Sequence, residues 1–158
     1  TLPTELGKLT GLTWLAVASN SLTGTIPTEL GQITSLGLCV MSNNTFTGTI
    51  PTELGNWPVI TSLYLDENSL TGTLPRELGN LTDIISMHFD ENSLTGTLPT
   101  ELGNLVQLQV LHIYGNQLTG SLPTSLARLN NLKKFLFHKN SLTGSVNDTL
   151  CAGSTEWE

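Results

Sequence analysis

Basic residues and long apolar runs are both scarce in this sequence of 158 residues. Six Lys and Arg stand against 13 Asp and Glu, which leaves a net charge of −7 at pH 7. A surface that binds a phosphate backbone is basic, so we expect no nucleic-acid partner. No apolar run reaches the roughly 18 residues of a membrane-spanning helix, and residues 1–4 are neither basic nor followed by an apolar stretch. We therefore expect a soluble segment that makes no membrane contact and carries no signal or anchor of its own.

Signatures of catalysis are missing as well. The sequence contains no G-x-S-x-G, no phosphate-binding loop, no H-E-x-x-H and no kinase signature. Its composition, 38% hydrophobic and 12% charged, is that of a folded chain rather than of a disordered or membrane protein. We predict one domain, residues 1–158, that is not an enzyme and holds no cofactor.

A repeat of 24 residues runs through the chain without insertion or deletion. Residues 9–152 contain six full repeats, and residues 1–8 match the last eight positions of a repeat. We therefore expect a fragment of a longer array, in which residues 153–158 start a truncated C-terminal cap. Such a period predicts a solenoid, because each unit buries its apolar face only against its neighbours. One Asn marks every repeat: Asn20, Asn44, Asn68, Asn92, Asn116 and Asn140.

The apolar positions of each repeat follow L-x-x-L-x-L-x-x-N-x-L, as in Leu12, Leu15, Val17, Asn20 and Leu22. The alternating middle pair predicts a strand of about five residues, and the strands of neighbouring repeats would pair in parallel about 4.8 Å apart. We expect the Asn side chain to turn inward where the strand ends. There its amide can satisfy unpaired backbone groups of that turn and of the adjacent repeat.

The segment 22–31 reads LTGTIPTELG and returns in close variants at 70–79 and 94–103. It resembles the plant-type leucine-rich repeat, L-T-G-x-I-P-x-x-L-G, and the resemblance covers nearly the whole chain. The resemblance implies an α/β repeat solenoid: a right-handed leucine-rich repeat horseshoe with a concave parallel β-sheet, a short second strand after the Gly, and short 3₁₀ turns and loops on the convex side.

The family occurs in receptor-kinase ectodomains, receptor-like proteins and polygalacturonase inhibitors of plants, and similar arrays occur in algae. The resemblance therefore implies a non-catalytic module, extracellular or at the cell surface, that binds a protein or peptide ligand. It leaves open which ligand is bound, the oligomeric state, and whether a transmembrane helix or a kinase follows in the parent protein.

Ligand contacts are predicted at positions that point out of the concave sheet, because these are free of packing duty. This face contains every His and Tyr of the sequence and changes from apolar through acidic to basic along the solenoid. Amphipathic aromatic residues are favoured in interfaces. The alternative is that outward positions are polar only because they face water. The predicted contacts are Tyr64, Asp66, Glu67, His88, Asp90, Glu91, His112, Tyr114, Lys134, His138 and Lys139.

Two histidines on this face have a second interpretation. His88 and His112 hold the same position in neighbouring repeats, about 5 Å apart, beside Asp66 and Asp90. This spacing suits a transition metal, or a pH-sensitive contact in which the carboxylates raise the histidine pKa. Because the pattern includes no Cys and no second-shell signature, we expect ordinary ligand contacts and no metal.

A ladder of Thr-x-Thr pairs, such as Thr71 and Thr73, offers a rival function. It resembles the surface of some ice-binding solenoids, although the same Thr belongs to the plant-type motif in receptors without that role. The alternatives to a receptor-like binding module are therefore an ice-binding or structural solenoid that uses these Thr residues, and an inhibitor of a cell-wall glycosidase.

Cysteine is limited to two residues. Cys39 takes a core strand position, and Cys151 lies almost five repeats away, so the two cannot reach the 7 Å between Cα atoms that a disulfide requires. Caps of the family typically carry a disulfide, which suggests that Cys151 belongs to a cap whose partner cysteine is missing. Candidate N-glycosylation sites are Asn43, Asn80 and Asn147.

Overall fold

Two parallel sheets and a row of short 3₁₀ helices form the solenoid. The computed structural model describes residues 1–144 and the backbone of a strand at Glu156–Trp157. Apart from that strand, the expected cap lies outside the described residues, as do Asn147 and Cys151. The first sheet, which we call the concave sheet, has seven strands: Trp14–Ala16, Leu38–Val40, Ser62–Tyr64, Ser86–His88, Val110–His112, Lys134–Leu136 and Glu156–Trp157.

The strands of the concave sheet pair in register at the period of the sequence. Leu63 lies beside Met87, and Met87 beside Leu111, so the middle residue of each strand joins one inward column. These middle residues are buried, while their two neighbours in the strand mostly point outward. This alternation confirms the predicted inward positions and gives the solenoid one continuous core.

The first six of these strands have three residues each, fewer than the predicted five. Pairing nevertheless continues past them, since the Val17 N–H donates to the Val40 carbonyl at 2.9 Å and the Ser19 N–H to the Ser42 carbonyl at 3.0 Å. The chain then turns in left-handed conformation at the same position of successive repeats, with φ of 55° at Ser19 and 52° at Glu67. Because a left-handed residue cannot continue a strand, the regular ladder ends before it.

The second sheet contains the Thr ladder. A Gly within or directly after each strand has a positive φ, 77° at Gly72, and a Cβ placed at Gly72 would lie 2.8 Å from Cγ2 of Thr49 in the preceding repeat. Only Gly fits both the backbone conformation and this close approach. The six strands of this sheet are Thr23–Thr25, Thr45–Thr49, Ser69–Gly72, Ser93–Gly96, Gln117–Ser121 and Ser141–Thr143.

The convex side consists of 3₁₀ helices that each follow a Pro in extended conformation, such as Pro75 with φ of −63°. The helices stack closely: a Cβ added to Gly79 would lie 2.5 Å from the Glu101 carbonyl oxygen of the next repeat. Proline starts each turn with a preset φ, and Gly lets the turns approach. The described residues contain six of these helices: Thr4–Lys8, Thr28–Gln32, Thr52–Asn56, Arg76–Asn80, Thr100–Asn104 and Thr124–Arg128.

The repeated Asn links adjacent repeats from inside. Asn116 is 8% exposed, and its Nδ2 donates to the carbonyls of Phe89, Ile113 and Tyr114 at 3.0 to 3.2 Å. Its Oδ1 accepts the N–H of Leu94, in the preceding repeat, at 2.9 Å. One amide therefore satisfies backbone groups on both sides of a repeat boundary. The same pattern of contacts recurs at Asn44, Asn68, Asn92 and Asn140.

The core between the sheets and the helices is closed and apolar. Its largest fully buried side chains include Trp57, Phe46, Phe89 and Phe135. The Trp57 indole N–H donates to the Leu30 carbonyl at 2.9 Å, so the one polar atom of this ring is satisfied. Within the described part of the chain, no helix is long and apolar enough to cross a membrane.

Cys39 is fully buried in this core, and burial raises the pKa of its thiol to about 12. The thiolate is the nucleophilic form, so the folded protein should resist alkylation at this residue. In a Cys151→Ser chain, we expect iodoacetamide to label Cys39 at least about 100-fold more slowly in the folded state than in guanidinium. Mass spectrometry measures both rates. Equal rates would show that the core opens readily at this strand.

Candidate ligand-binding face

The outward side of the concave sheet carries all of the predicted contact residues. Glu67, Glu91 and Lys139 are exposed, and Asp90 is buried. The others are half-buried: Tyr64, Asp66, His88, His112, Tyr114, Lys134 and His138. Packing therefore extends onto this face, contrary to the expectation that outward positions are free of it, because the rings of neighbouring repeats cover one another.

Five rings form a continuous row across the face, and we call this set the ring row: Tyr64, His88, His112, Tyr114 and His138. His88 and His112 stack, with ring centroids 4.1 Å apart and planes 20° from parallel. Tyr64 lies 4.4 Å from His88. Tyr114 and His138 stack at 4.7 Å in the next column. The row has this form because the pairing register repeats the same side-chain direction every 24 residues.

Asp90 lies beneath the row. It is only 5% exposed, and its Oδ1 lies 3.8 Å from His112 Nδ1. Burial raises the pKa of Asp90, while a hydrogen bond from the Tyr114 phenol opposes that rise. The same hydrogen bond is the main reason that the pKa of Tyr114 is raised to about 12. Tyr114 therefore stays protonated and donates to a carboxylate that is shielded from solvent.

The neighbouring carboxylates raise the histidine pKa values as expected, but the net shift of both values is downward. The pKa of His112 is lowered to about 4, chiefly by burial. The adjacent His88 lowers this pKa too, and its effect is larger than the opposite effect of Asp90. The pKa of His88 is lowered as well, because burial outweighs the attraction of Asp66. The cost of removing a charged imidazole from water exceeds these attractions. The two stacked rings are therefore neutral at pH 7.

Polar contacts hold the flanks of the row. Ser42 Oγ donates to Asp66 Oδ1 at 2.7 Å, and Lys139 Nζ pairs with Glu91 Oε1 at 3.6 Å. Ser86 Oγ lies 3.2 Å from His88 Nε2 and is buried. Sequence reasoning did not include the two serines in the site. The available signal was their position: Ser86 precedes His88 by the strand period of two, and Ser42 holds the position of Asp66 one repeat earlier.

Two further predictions concern a metal ion and glycosylation. One ligand atom from each of His88, Asp90 and His112 lies within 4.8 Å of the others, so these are the residues placed to hold a metal. The candidate glycosylation sites Asn43 and Asn80 are exposed, the first beside the concave sheet and the second at the end of a convex helix.

The stacked parallel strands, inward Asn ladder and convex 3₁₀ helices define the class of leucine-rich repeat solenoids. The Leucine Rich Repeat family model matches residues 35–57, 60–81 and 107–129. The structure is also similar to the BIR2 ectodomain from Arabidopsis thaliana, at 31% identity and a TM-score of 0.74, covering 82% of this chain and 68% of that one. The chain belongs to the leucine-rich repeat family and is of the plant type.

Longer receptors contain closely similar segments. The Arabidopsis receptor kinase HAESA, in complex with the peptide hormone IDA and the co-receptor SERK1, matches 97% of this chain at 35% identity and a TM-score of 0.92. The ectodomain of the Arabidopsis thaliana receptor kinase GASSHO1/SCHENGEN3, in complex with CASPARIAN STRIP INTEGRITY FACTOR 2, matches 94% at 38% identity and a TM-score of 0.91.

The chain spans 26% of the HAESA chain and 18% of the GASSHO1/SCHENGEN3 chain. A comparison with curated protein sequences found no match.

Proposed function

We propose that this chain is a non-catalytic segment of an extracellular, receptor-like leucine-rich repeat protein, and that it binds a peptide or protein ligand on the ring row. The observation that carries the proposal is the row itself. Five amphipathic rings stack or tilt against one another on a sheet face and remain half-exposed. Such rings offer apolar area together with polar edges, which is the composition favoured in interfaces.

The relatives support this proposal. HAESA and GASSHO1/SCHENGEN3 are receptor kinases whose structures hold bound ligands, a peptide hormone in the first case. Their similarity to this chain extends over nearly all of it. The extracellular location, the absence of catalysis and the lack of a nucleic-acid partner follow from the same proposal.

The acidic residues of this face indicate which class of ligand would bind there. Asp66, Glu67 and Glu91 flank the ring row, and the protein has a net charge of −7. Asp66 and Glu91 already have local partners in Ser42 and Lys139, whereas the Glu67 side chain is exposed. A ligand with a Lys or Arg beside an apolar residue would complement this pattern. We therefore favour a peptide that is basic over one that is acidic.

Selection of phage-displayed random linear peptides on the full chain tests the proposal. Peptides selected on the native protein should bind a Tyr64→Ala, His88→Ala, Tyr114→Ala variant at least about tenfold more weakly, because clustered aromatic residues carry most of the energy of such interfaces. Calorimetry measures the affinity, and circular dichroism establishes that the variant is folded. Selected peptides that bind the variant equally well would place the binding surface elsewhere.

Trp14→Ala is the matched control, since Trp14 is 70% exposed on the same sheet but lies outside the row. It should leave the affinity unchanged.

Thr71→Ala with Thr97→Ala tests the ice-binding alternative in an ice-shaping assay. In the structure, Thr71 Oγ1 donates to the Gly48 carbonyl at 3.3 Å, which gives that hydroxyl a role within the array. A glycosidase inhibitor would use the ring row and be distinguished by its ligand.

A further inference from the structure

We propose that His88, Asp90 and His112 form a binding site for a divalent transition-metal ion of the zinc class. The site would lie within the concave face and exist whether or not a peptide binds there. Sequence reasoning expected no metal at these residues. Three observations now favour one: the distances among the donor atoms, an unpartnered buried carboxylate oxygen, and polar groups that orient the donors.

The donor atoms are already close together. His88 and His112 pair in register on adjacent strands, and Asp90 follows His88 by two residues on the same chain. One donor from each lies within 4.8 Å of the others, and His112 Nδ1 is 3.8 Å from Asp90 Oδ1. Tetrahedral zinc with bonds of about 2.0–2.1 Å requires donors about 3.3 Å apart. The donors must move by about 0.5 to 1.5 Å to reach this distance, and the two imidazole planes, now 20° from parallel, must turn toward each other so that both lone pairs meet the ion.

The carboxylate is poorly satisfied without a cation. Asp90 is only 5% exposed, and its Oδ1 has no hydrogen-bond partner. A buried carboxylate oxygen in that condition is costly and rare in native structures. Two imidazoles and a carboxylate are ligands that zinc accepts, and they leave a fourth position open to water or to a ligand group. A bound ion would give the unpaired Asp90 Oδ1 a partner.

Neighbouring groups are placed to orient the donors. Ser86 Oγ lies 3.2 Å from His88 Nε2. When Nε2–H donates to this hydroxyl, the lone pair of the imidazole lies on Nδ1, which is then free to accept a metal ion. The Tyr114 phenol lies beside Asp90, where it interacts with the carboxylate. These are the outer contacts that metal sites ordinarily have, and the repeat pattern alone does not reveal them.

Titration of the tag-free chain with zinc chloride, followed by calorimetry in a buffer without chelators, tests the site. We expect one ion per chain. His112→Ala and His88→Ala should each weaken zinc binding by at least about 100-fold, because even the loss of an outer contact costs 10–100-fold. Ser86→Ala should weaken binding by about 10–100-fold without removing a ligand.

His138→Ala is the matched control, since His138 lies in the same ring row but outside the three donors. Its zinc affinity should equal that of the native chain. Cobalt supplies a second readout, because a visible spectrum typical of tetrahedral coordination should appear in the native chain and vanish in His112→Ala. Circular dichroism shows that each variant is folded. No saturable binding of zinc, or equal loss in His138→Ala and His112→Ala, would overturn the proposal.

Discussion

Replacing Asn116 with Ala is expected to lower the free energy of unfolding by about 3 kcal/mol or more. The largest part comes from Leu94, whose buried backbone N–H loses its acceptor, Asn116 Oδ1. The three carbonyls that Asn116 contacts are less affected. Ile113 keeps a bond from Asn140, Phe89 one from Asn92, and Tyr114 one from the backbone of Glu91. Urea unfolding measures the difference.

Asn20→Ala is the matched control. Asn20 holds the same position in the first full repeat, but it is exposed, and its two side-chain hydrogen bonds go to Val17 and Ala18 of its own repeat. We expect its replacement to cost less than about 1 kcal/mol. If Asn116→Ala and Asn20→Ala were equally destabilising, the hydrogen bonds across repeat boundaries would contribute nothing beyond the local turn.

The contrast between these two residues shows how far the sequence determines the fold. The spacing of the Asn residues predicts the inward turn and the link to an adjacent repeat, because both follow from an uninterrupted period. It does not predict that the ladder of regular strands stops after three residues. That boundary depends on left-handed residues such as Ser19 and Glu67, whose side chains do not ordinarily favour this conformation.

The sequence predicts which residues lie on the candidate face, but it does not predict their burial or their pKa values. Alternation along the strands identifies Tyr64, His88 and His112 as neighbours on one face. The burial of Asp90 and the lowered pKa of His112 depend on how far adjacent rings cover each other, which a pattern of residue types does not contain. For the same reason the pattern does not predict the polar contact between Ser86 and His88.

Replacing Gly79 with Ala is expected to cost about 1–3 kcal/mol or more and to weaken the cooperativity of unfolding. The added methyl group would lie 2.5 Å from the carbonyl oxygen and 2.6 Å from Cβ of Glu101. Much of this obstacle is backbone, so two neighbouring 3₁₀ helices must separate. Because each repeat is stabilised by its neighbours, the loss falls on one boundary in the middle of the array. Hydrogen exchange would locate that boundary.

Gly11→Ala provides the comparison that isolates the steric cause. No atom lies within 4 Å of a Cβ built at Gly11, and neither Gly11 nor Gly79 has a positive φ. Both substitutions reduce the entropy of the unfolded chain alike, by about 0.4–1 kcal/mol in favour of folding. Gly11→Ala should therefore be neutral or slightly stabilising. A loss of stability of the same size in both variants would mean that the close stacking of the convex helices does not require Gly. A loss confined to Gly79→Ala would assign the destabilisation to the contact with Glu101.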